Sequence, residues 1–123
     1  MSKLTLVIGA SLKTIRYSNM AIKSLVKNNF DVVAIGLKLG DVAGVPVLQM
    51  NNFDLKTAKV HTVTLYLNAK RQMAYYDFII SLQPKRVIFN PGTENEDFYT
   101  ILRKHTISYE ESCTLVLLNT KQY

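Results

Sequence analysis

A segment near the start of the sequence combines the residue types with which proteins hold phosphate groups: residues 9–18, GASLKTIRYS. Gly9 permits a tight exit from a strand, and Ala10 is small enough for a ligand to approach the backbone. The hydroxyl donors and cations of the segment are Ser11, Lys13, Arg16 and Ser18. A guanidinium such as that of Arg16 can hold two phosphate oxygens through parallel hydrogen bonds. Because the three glycines of a dinucleotide fingerprint are missing, the segment also fits an ordinary turn before a helix capped by Ser18.

A second glycine-containing segment, residues 90–96 (NPGTENE), also stands between an apolar run and a helical pattern. Thr93 and Glu96 have the spacing of a capping box, in which each side chain bonds to the other residue's backbone amide. Acidic residues are favourable in the first turn of a helix, so capping explains Glu94, Glu96 and Asp97 better than an acidic catalytic site does. We therefore expect a helix that is capped at Thr93.

The local sequence offers no set of residues for nucleophilic or metal-assisted chemistry. Cys113 follows two glutamates, and acidic neighbours do not favour a reactive thiolate. His61 and His105 have no partner at the spacing of metal ligands. These observations favour a binding protein over an enzyme, with no catalytic residue and no metal ligand predicted.

Apolar runs and helical patterns alternate along the chain. The runs predict five main strands, over residues 3–8, 31–35, 60–67, 86–89 and 107–110, and residues 45–48 could pair as a further short strand. Helices are predicted over residues 18–29, from the cap Asn68 to about residue 82, and from Thr93 onwards. Residues 37–59 carry a weak pattern apart from 45–48, and residues 114–118 fit either a strand or a short helix.

This alternation predicts an α/β fold: a single Rossmann-like domain over residues 1–123, with a parallel five-stranded sheet between two layers of helices. In the usual strand order, 3-2-1-4-5, ligands bind at the carboxyl ends of the strands, between the first strand and the fourth. With residues 86–89 as the fourth strand, we expect the loops 9–17 and 90–93 to meet there.

The sequence has a formal net charge of +6, which favours an anionic partner such as a nucleotide. Lysine and arginine do not form long runs, and aromatic residues do not alternate with them, so nucleic acid is a minor hypothesis. The apolar runs are far shorter than a membrane span, and a single cysteine allows no internal disulfide. We expect a cytoplasmic protein that does not enter a membrane. No residue specifies a protein partner.

The end of the second predicted strand bears on the identity of a nucleotide ligand. A site for NAD usually has Asp or Glu at this position, where it binds the ribose hydroxyls. Here the strand ends at Gly36, Leu37 and Lys38, and a cation suits a ribose that carries a phosphate, as in coenzyme A or NADP. NAD is therefore disfavoured, and the other two remain open.

Several of these landmarks resemble the small stand-alone CoA-binding domain proteins, which are relatives of the CoA-binding domain of the succinyl-CoA synthetase α subunit. The resemblance covers nearly the whole chain and rests on Gly9-Ala10-Ser11, Arg16, Ser18, Gly44-Val45, residues 90–96 and Cys113. The chain departs from the family at residues 36–38, where asparagine-proline is usual after the strand, and at Asn90, where glutamine is usual.

The resemblance implies a site for coenzyme A or an acyl-CoA. It implies that the diphosphate is held by Gly9, Ala10, Ser11, Arg16 and Ser18, and Lys13 adds charge nearby. It also implies that the adenosine is flanked by Gly36, Leu37 and Lys38 and by Leu67 and Asn68. Asn90 and Gly92 would form the other wall.

Three hypotheses for the function follow. The first is a CoA-binding module without catalysis of its own. The second is a small NADP-dependent oxidoreductase, which Lys38 would suit. The third is an interaction subunit tuned by a ligand, which the small size and positive charge would suit.

Overall fold

Seven short segments form one sheet in the computed structural model, which describes residues 3–53 and 59–123. The strands are β1 (Thr5–Ala10), β2 (Val32–Gly36), β3 (Gly40–Val42), β4 (Val45–Leu48), β5 (Thr62–Leu65), β6 (Arg86–Phe89) and β7 (Ser108–Glu111). The central strands β1 and β5 are buried almost throughout, as expected when helices cover both faces of a parallel sheet.

In the part of the chain that the structure describes, five α-helices connect or follow these strands. They are α1 (Tyr17–Lys27), α2 (Ala69–Gln72), α3 (Tyr76–Leu82), α4 (Glu96–Lys104) and α5 (Thr114–Asn119), with short 3₁₀ helices at Met50–Asn52 and Met73–Tyr75. Among the described residues, no helix combines the length and the apolar character that a membrane crossing requires.

The strand order is β3-β4-β2-β1-β5-β6-β7, and the α/β class with a mostly parallel sheet is confirmed. The prediction of five strands is wrong. Residues 40–42 add an edge strand that pairs antiparallel to β4, through a turn in which Ala43 and Gly44 both have positive φ. The predicted order also placed the fourth strand, which is β6, beside β1, and this is wrong. β5 lies beside β1, and β6 pairs with the far side of β5.

Alternate residues of β1 enter two cores, one on each face of the sheet. Leu6 and Ile8 belong to the larger core, together with Phe98 of α4. Val7, which lies between them in sequence, belongs to the smaller core, together with Ile22 of α1. The period of two along a strand thus produces the predicted three layers.

The start of α4 differs from the prediction. Its N-cap is Asn95, whose side chain accepts a hydrogen bond from the amide of Phe98 at 3.3 Å. Thr93, the predicted cap, instead donates its hydroxyl to the carbonyl of Asn90 at 2.7 Å and stabilises the turn after β6. The prediction of a capping box at Thr93 and Glu96 is therefore wrong, because Asn95, two residues after Thr93, takes the N-cap position.

The other predicted segments have mixed outcomes. The helix expected from Asn68 to about residue 82 is divided by the 3₁₀ helix Met73–Tyr75. Its last part, α3, ends at Leu82, and the backbone of the next residue, Gln83, is in the left-handed conformation before Pro84. The undecided segment at 114–118 is helical, as α5. Of the weakly patterned stretch 37–59, residues 54–58 lie outside the described residues.

The carboxyl ends of β1 and β2 approach each other closely at two glycines. The pairing register shifts between Ile8 and Ala10, with Gly9 at a φ of 93°, and Ala10 then pairs with Gly36. A Cβ atom at Gly36 would overlap the carbonyl oxygen of Ala10. This irregularity turns the chain out of the sheet at the start of the predicted phosphate segment.

We predict that Gly36→Ala lowers the free energy of unfolding by about 1–3 kcal/mol, the usual range for overpacking a buried site. The added methyl group must push β1 and β2 apart at their ends. Denaturant unfolding monitored by circular dichroism measures the change. An unchanged midpoint would contradict the close packing of these strands.

Candidate functional site

A cleft of about 1030 Å³ opens where β1, β2, β5 and β6 end at one edge of the sheet. Its walls are the loops that follow these strands, together with α2 and the adjoining 3₁₀ helix. The predicted site residues that line it are Gly9, Ala10, Ser11, Lys13, Arg16, Ser18, Gly36, Leu37, Lys38, Leu67, Asn68 and Gly92. The structure thus brings together every residue that the sequence nominated except Asn90.

The N-terminus of α1 meets this cleft without a capping side chain. Arg16 occupies the N-cap position, and its guanidinium cannot cap the helix because it has no acceptor atom. The amide of Met20 donates to the carbonyl of Arg16 at 3.2 Å. The amides of Tyr17, Ser18 and Asn19 precede this bond and have no acceptor within the helix. Ser18 is therefore not the cap, and the helix presents N–H groups and the positive end of its dipole.

The loop before α1 is held in shape by its own hydrogen bonds. The amide of Lys13 donates to the Ser11 hydroxyl at 3.2 Å, and the amide of Arg16 donates to the Lys13 carbonyl at 3.1 Å. The side-chain amide of Asn19, which is 2% exposed, donates to the Ser11 carbonyl at 2.9 Å. Asn19 was not predicted as part of the site, because nothing local in the sequence indicates that this side chain turns back to the loop.

Positive charge is concentrated around the cleft. Its cations are Lys13, Arg16, Lys38, Lys70 and Arg71, and none of the described residues that line it is acidic. Within residues 3–53 and 59–123, an ion pair forms between the side chains of Arg86 and Glu110, and neither residue lines the cleft. The field inside the cleft therefore attracts anions, and it strengthens between low-dielectric walls.

Apolar side chains are exposed at the mouth of the cleft. Leu12, Tyr17 and Leu37 line it and are 38%, 71% and 74% exposed. Ile15 and Leu39, which do not line the cleft, are also exposed. A Cβ at Gly40 would meet the Leu12 side chain at 2.9 Å, so the segment after β2 and the loop after β1 lie against each other. The mouth can therefore cover a flat or apolar part of a ligand while the floor binds an anion.

Asn90 lies beneath the cleft rather than in its wall. Its side-chain nitrogen donates to the Thr64 hydroxyl at 2.7 Å and to the Leu65 carbonyl at 2.8 Å, and its side-chain oxygen accepts from the amide of Thr114 at 2.9 Å. The residue is 2% exposed. Its polar atoms thus join β5 to the start of α5, and they are not directed at a ligand.

Gln72, which sequence analysis missed, ties two loops of the cleft together. It is fully buried, and its side-chain nitrogen donates to the carbonyls of Leu67 at 2.8 Å and Thr93 at 2.7 Å. Its side-chain oxygen accepts from Asn95 at 2.9 Å. These bonds fix the loop after β5 against the loop after β6.

Gly92 lines the cleft, but its amide already has a partner. It donates to the carboxylate of Glu94 at 3.0 Å. The wall after β6 therefore offers no free amide at this position unless Glu94 moves. The amides that have no acceptor within a helix are, on this cleft, those at the start of α1.

Lys70 and Arg71 were also not predicted as part of the site, although their segment follows the predicted cap Asn68. That cap is confirmed, since the Asn68 side chain accepts from the amide of Arg71 at 3.0 Å. The local pattern shows a basic dipeptide early in a helix and nothing more. Its position on the cleft depends on β5 lying beside β1, which the predicted strand order did not contain.

The described residues contain no group of three or more His, Cys, Asp or Glu that could hold a metal ion. Tyr66 lines the cleft, and burial raises the pKa of its hydroxyl well above the ordinary value. The group therefore stays protonated at neutral pH. The arrangement can hold an anionic ligand by charge and hydrogen bonds.

Comparisons with known proteins show a family and a fold for the chain. A family model described as "CoA binding domain" matches residues 3–119. The chain is similar to an uncharacterized protein of known crystal structure, with 39% identity, a TM-score of 0.90, and coverage of 100% of this chain and 99% of that one. It is also similar to a hypothetical protein from Pyrococcus horikoshii OT3, with 25% identity, a TM-score of 0.79, and coverage of 98% and 83%.

A third similar structure, from Thermus thermophilus, is 15% identical with a TM-score of 0.82, and the match covers 99% of this chain and 91% of that one. At this identity the likeness concerns the fold alone. A search of curated proteins found no match.

We predict that Gln72→Leu lowers the free energy of unfolding by about 2–4 kcal/mol, because the carbonyls of Leu67 and Thr93 lose a buried donor. Denaturant unfolding measures the loss. Gln122→Leu is the matched control, since Gln122 is exposed and its substitution should change stability by less than about 0.5 kcal/mol. Equal effects of the two variants would contradict the bridging role.

We also predict that stability falls as the pH rises above about 10, the ordinary pKa of tyrosine. Burial raises the pKa of Tyr66, Tyr99 and Tyr123, so the unfolded chain loses these protons first and is favoured at high pH. Unfolding midpoints and tyrosinate absorbance against pH measure the effect. Tyr66→Phe should remove one late-titrating group. Titration of Tyr66, Tyr99 and Tyr123 at the ordinary pKa of tyrosine in the folded protein would contradict this expectation.

Proposed function

Because the chain belongs to the CoA binding domain family, we propose that it binds coenzyme A or an acyl-CoA in this cleft, as a module without catalysis of its own. The observation that carries the proposal is the uncapped start of α1 within a cationic cleft whose described lining has no acidic residue. Unpaired amides and fixed positive charge favour a multiply charged phosphate ligand.

In this proposal, the diphosphate lies against the loop between β1 and α1. The amides of the first turn of α1 donate to its oxygens, and the Arg16 guanidinium adds charge-assisted hydrogen bonds. The Asn19 and Ser11 contacts hold the loop in place before the ligand arrives, so little ordering is needed on binding. Lys13 contributes charge at the edge of the same loop.

The adenosine lies at the other end of the site, between Gly36–Lys38 and Leu67–Asn68. Leu37 is 74% exposed in the open cleft, and it supplies apolar surface for the adenine ring. Lys38 suits the 3′-phosphate on the ribose of coenzyme A. The mouth residues Leu12 and Tyr17 give apolar surface to the pantetheine arm.

NADP is the second candidate ligand, because Lys38 suits its ribose phosphate equally well. Isothermal titration with CoA and, in parallel, with NADPH separates the two. We expect heat and a raised melting temperature with CoA, since a ligand that binds only the folded state stabilises it. The absence of both heat and a melting-temperature shift at about 1 mM CoA would contradict the proposal. Tighter binding of NADPH than of CoA would favour the small oxidoreductase.

We predict that Arg16→Gln weakens CoA binding roughly 10- to 100-fold, because it removes charge-assisted hydrogen bonds to the diphosphate. The melting temperature without ligand should not change, since Arg16 is exposed and makes no capping bond. Lys27→Gln, an exposed residue of α1 outside the cleft, is the control for a general loss of charge. If Arg16→Gln and Lys27→Gln bind CoA with the same affinity, Arg16 does not contact the ligand as proposed.

A further inference from the structure

Exposed apolar side chains are concentrated in two segments beside the cleft. The described residues include nine large apolar side chains that are exposed, and six of them lie in residues 12–20 and 37–39. They are Leu12, Ile15, Tyr17, Met20, Leu37 and Leu39. The two segments adjoin, because a Cβ atom at Gly40 would meet the Leu12 side chain at 2.9 Å.

A ligand in the cleft does not cover this whole surface. Ile15, Met20 and Leu39 do not line the cleft, and their side chains are 78%, 39% and 62% exposed. A contiguous apolar patch on a folded protein marks a surface where another molecule binds, since covering it releases water from apolar groups. The surface therefore has room for an occupant other than the ligand.

The same surface is positively charged. Residues 12–20 and 37–39 include Lys13, Arg16 and Lys38 and no acidic residue, and all three of these side chains are exposed. We call the two segments together the basic rim. Its charge is complementary to an acidic surface and repels another basic one.

An acidic surface lies at the same edge of the sheet, beyond the cleft. Glu94, Glu96 and Asp97 are exposed at the start of α4, and we call these three residues the acidic corner. The basic rim follows β1 and β2, and the corner follows β6. These strands are parallel, so the rim and the corner both lie at their carboxyl ends, and β5 separates β1 from β6. The cleft therefore has cations on one side and carboxylates on the other.

Neither surface is neutralised within its own chain. Among the described residues, the ion pair lies elsewhere, between Arg86 and Glu110. The backbone of the corner is ordered, since Asn95 caps α4 and the amide of Gly92 donates to the Glu94 carboxylate at 3.0 Å. The two charged surfaces are thus held at fixed positions on one face of the molecule.

Opposite charges on two sides of one face allow two copies to pair by symmetry. A dimer with a two-fold axis uses the same face of both copies. When the axis lies in the interface and runs perpendicular to the line from rim to corner, the rim of each copy lies opposite the corner of the other. When the axis runs along that line, cations meet cations. Charge therefore selects one arrangement of the two copies.

We propose that a second copy of this chain covers the basic rim, in a dimer in which the carboxyl edges of the two sheets face each other. The rim of each copy contacts the acidic corner of the other, and the exposed apolar side chains of the rim are buried between the copies. The mouths of the two clefts then open into the interface. The inference does not depend on which ligand the cleft binds.

Sedimentation velocity of the unliganded protein, up to about 1 mM, measures the dimer dissociation constant. Lys13→Glu/Lys38→Glu makes both surfaces of a copy acidic, and Glu96→Lys/Asp97→Lys makes both basic. We expect each variant alone to dissociate more than about tenfold more readily than the wild-type protein, because like charges then face each other. An equimolar mixture of the two variants should form a mixed dimer, in which opposite charges meet again.

The matched control is Lys85→Glu/Lys104→Glu, which reverses two exposed lysines that precede β6 and end α4, away from the carboxyl ends of the strands. It should dimerise like the wild-type protein. Ile15→Ser/Leu39→Ser should weaken the dimer about tenfold through lost apolar burial, and Val116→Ser, at an exposed position of α5, should not. Melting temperatures measured by circular dichroism report whether each variant folds.

Three results overturn the dimer. They are a wild-type protein that stays monomeric at about 1 mM, charge variants that weaken association no more than the control does, and a mixture that associates no better than its components. A monomeric protein would leave the rim to an acidic partner of another kind. Titration of CoA into the same protein tests the proposed function separately, so either proposal can fail without the other.

Discussion

The close approach of β1 and β2 at Ala10 and Gly36 is the constraint on which the site depends. A side chain at Gly36 would overlap the Ala10 carbonyl, so the strands can converge only because a glycine is present. At the same point, Gly9 takes a positive φ and shifts the register, and the chain leaves the sheet toward α1. The loop and the uncapped start of α1 follow directly from that exit.

Two buried side-chain amides organise the opposite side of the cleft. Gln72 joins the loops after β5 and β6, and Asn90 joins β5 to the start of α5. Their hydrogen bonds are made entirely within the protein, so each stabilises the frame rather than contacting a ligand. The charged groups, in contrast, are on exposed side chains carried by this frame. A rigid floor with cations above it suits binding of an anion, which is the function that we propose.

Much of the site could be predicted from the sequence because strand-to-helix exits carry local signals. The small residues at positions 9–11, the cation at Arg16 and the end of β2 at Gly36 and Lys38 all line the cleft as expected. The predictions that failed concern choices between local alternatives. Thr93 and Asn95 both have capping side chains, and Ser18 lies within reach of a helix start, so packing decides which residue caps.

The sequence by itself determined the five main strands, the alternation with helices and the loop at 9–18, because hydrophobic period and glycine positions are local properties. Only the tertiary structure decided that β5 lies beside β1, that a hairpin extends the sheet, and that Lys70 and Arg71 face the cleft. The same holds for Asn90 and Gln72, whose partners are more than twenty residues away in several cases. Strand order and long-range hydrogen bonds depend on how distant segments pack, and no local pattern carries that information.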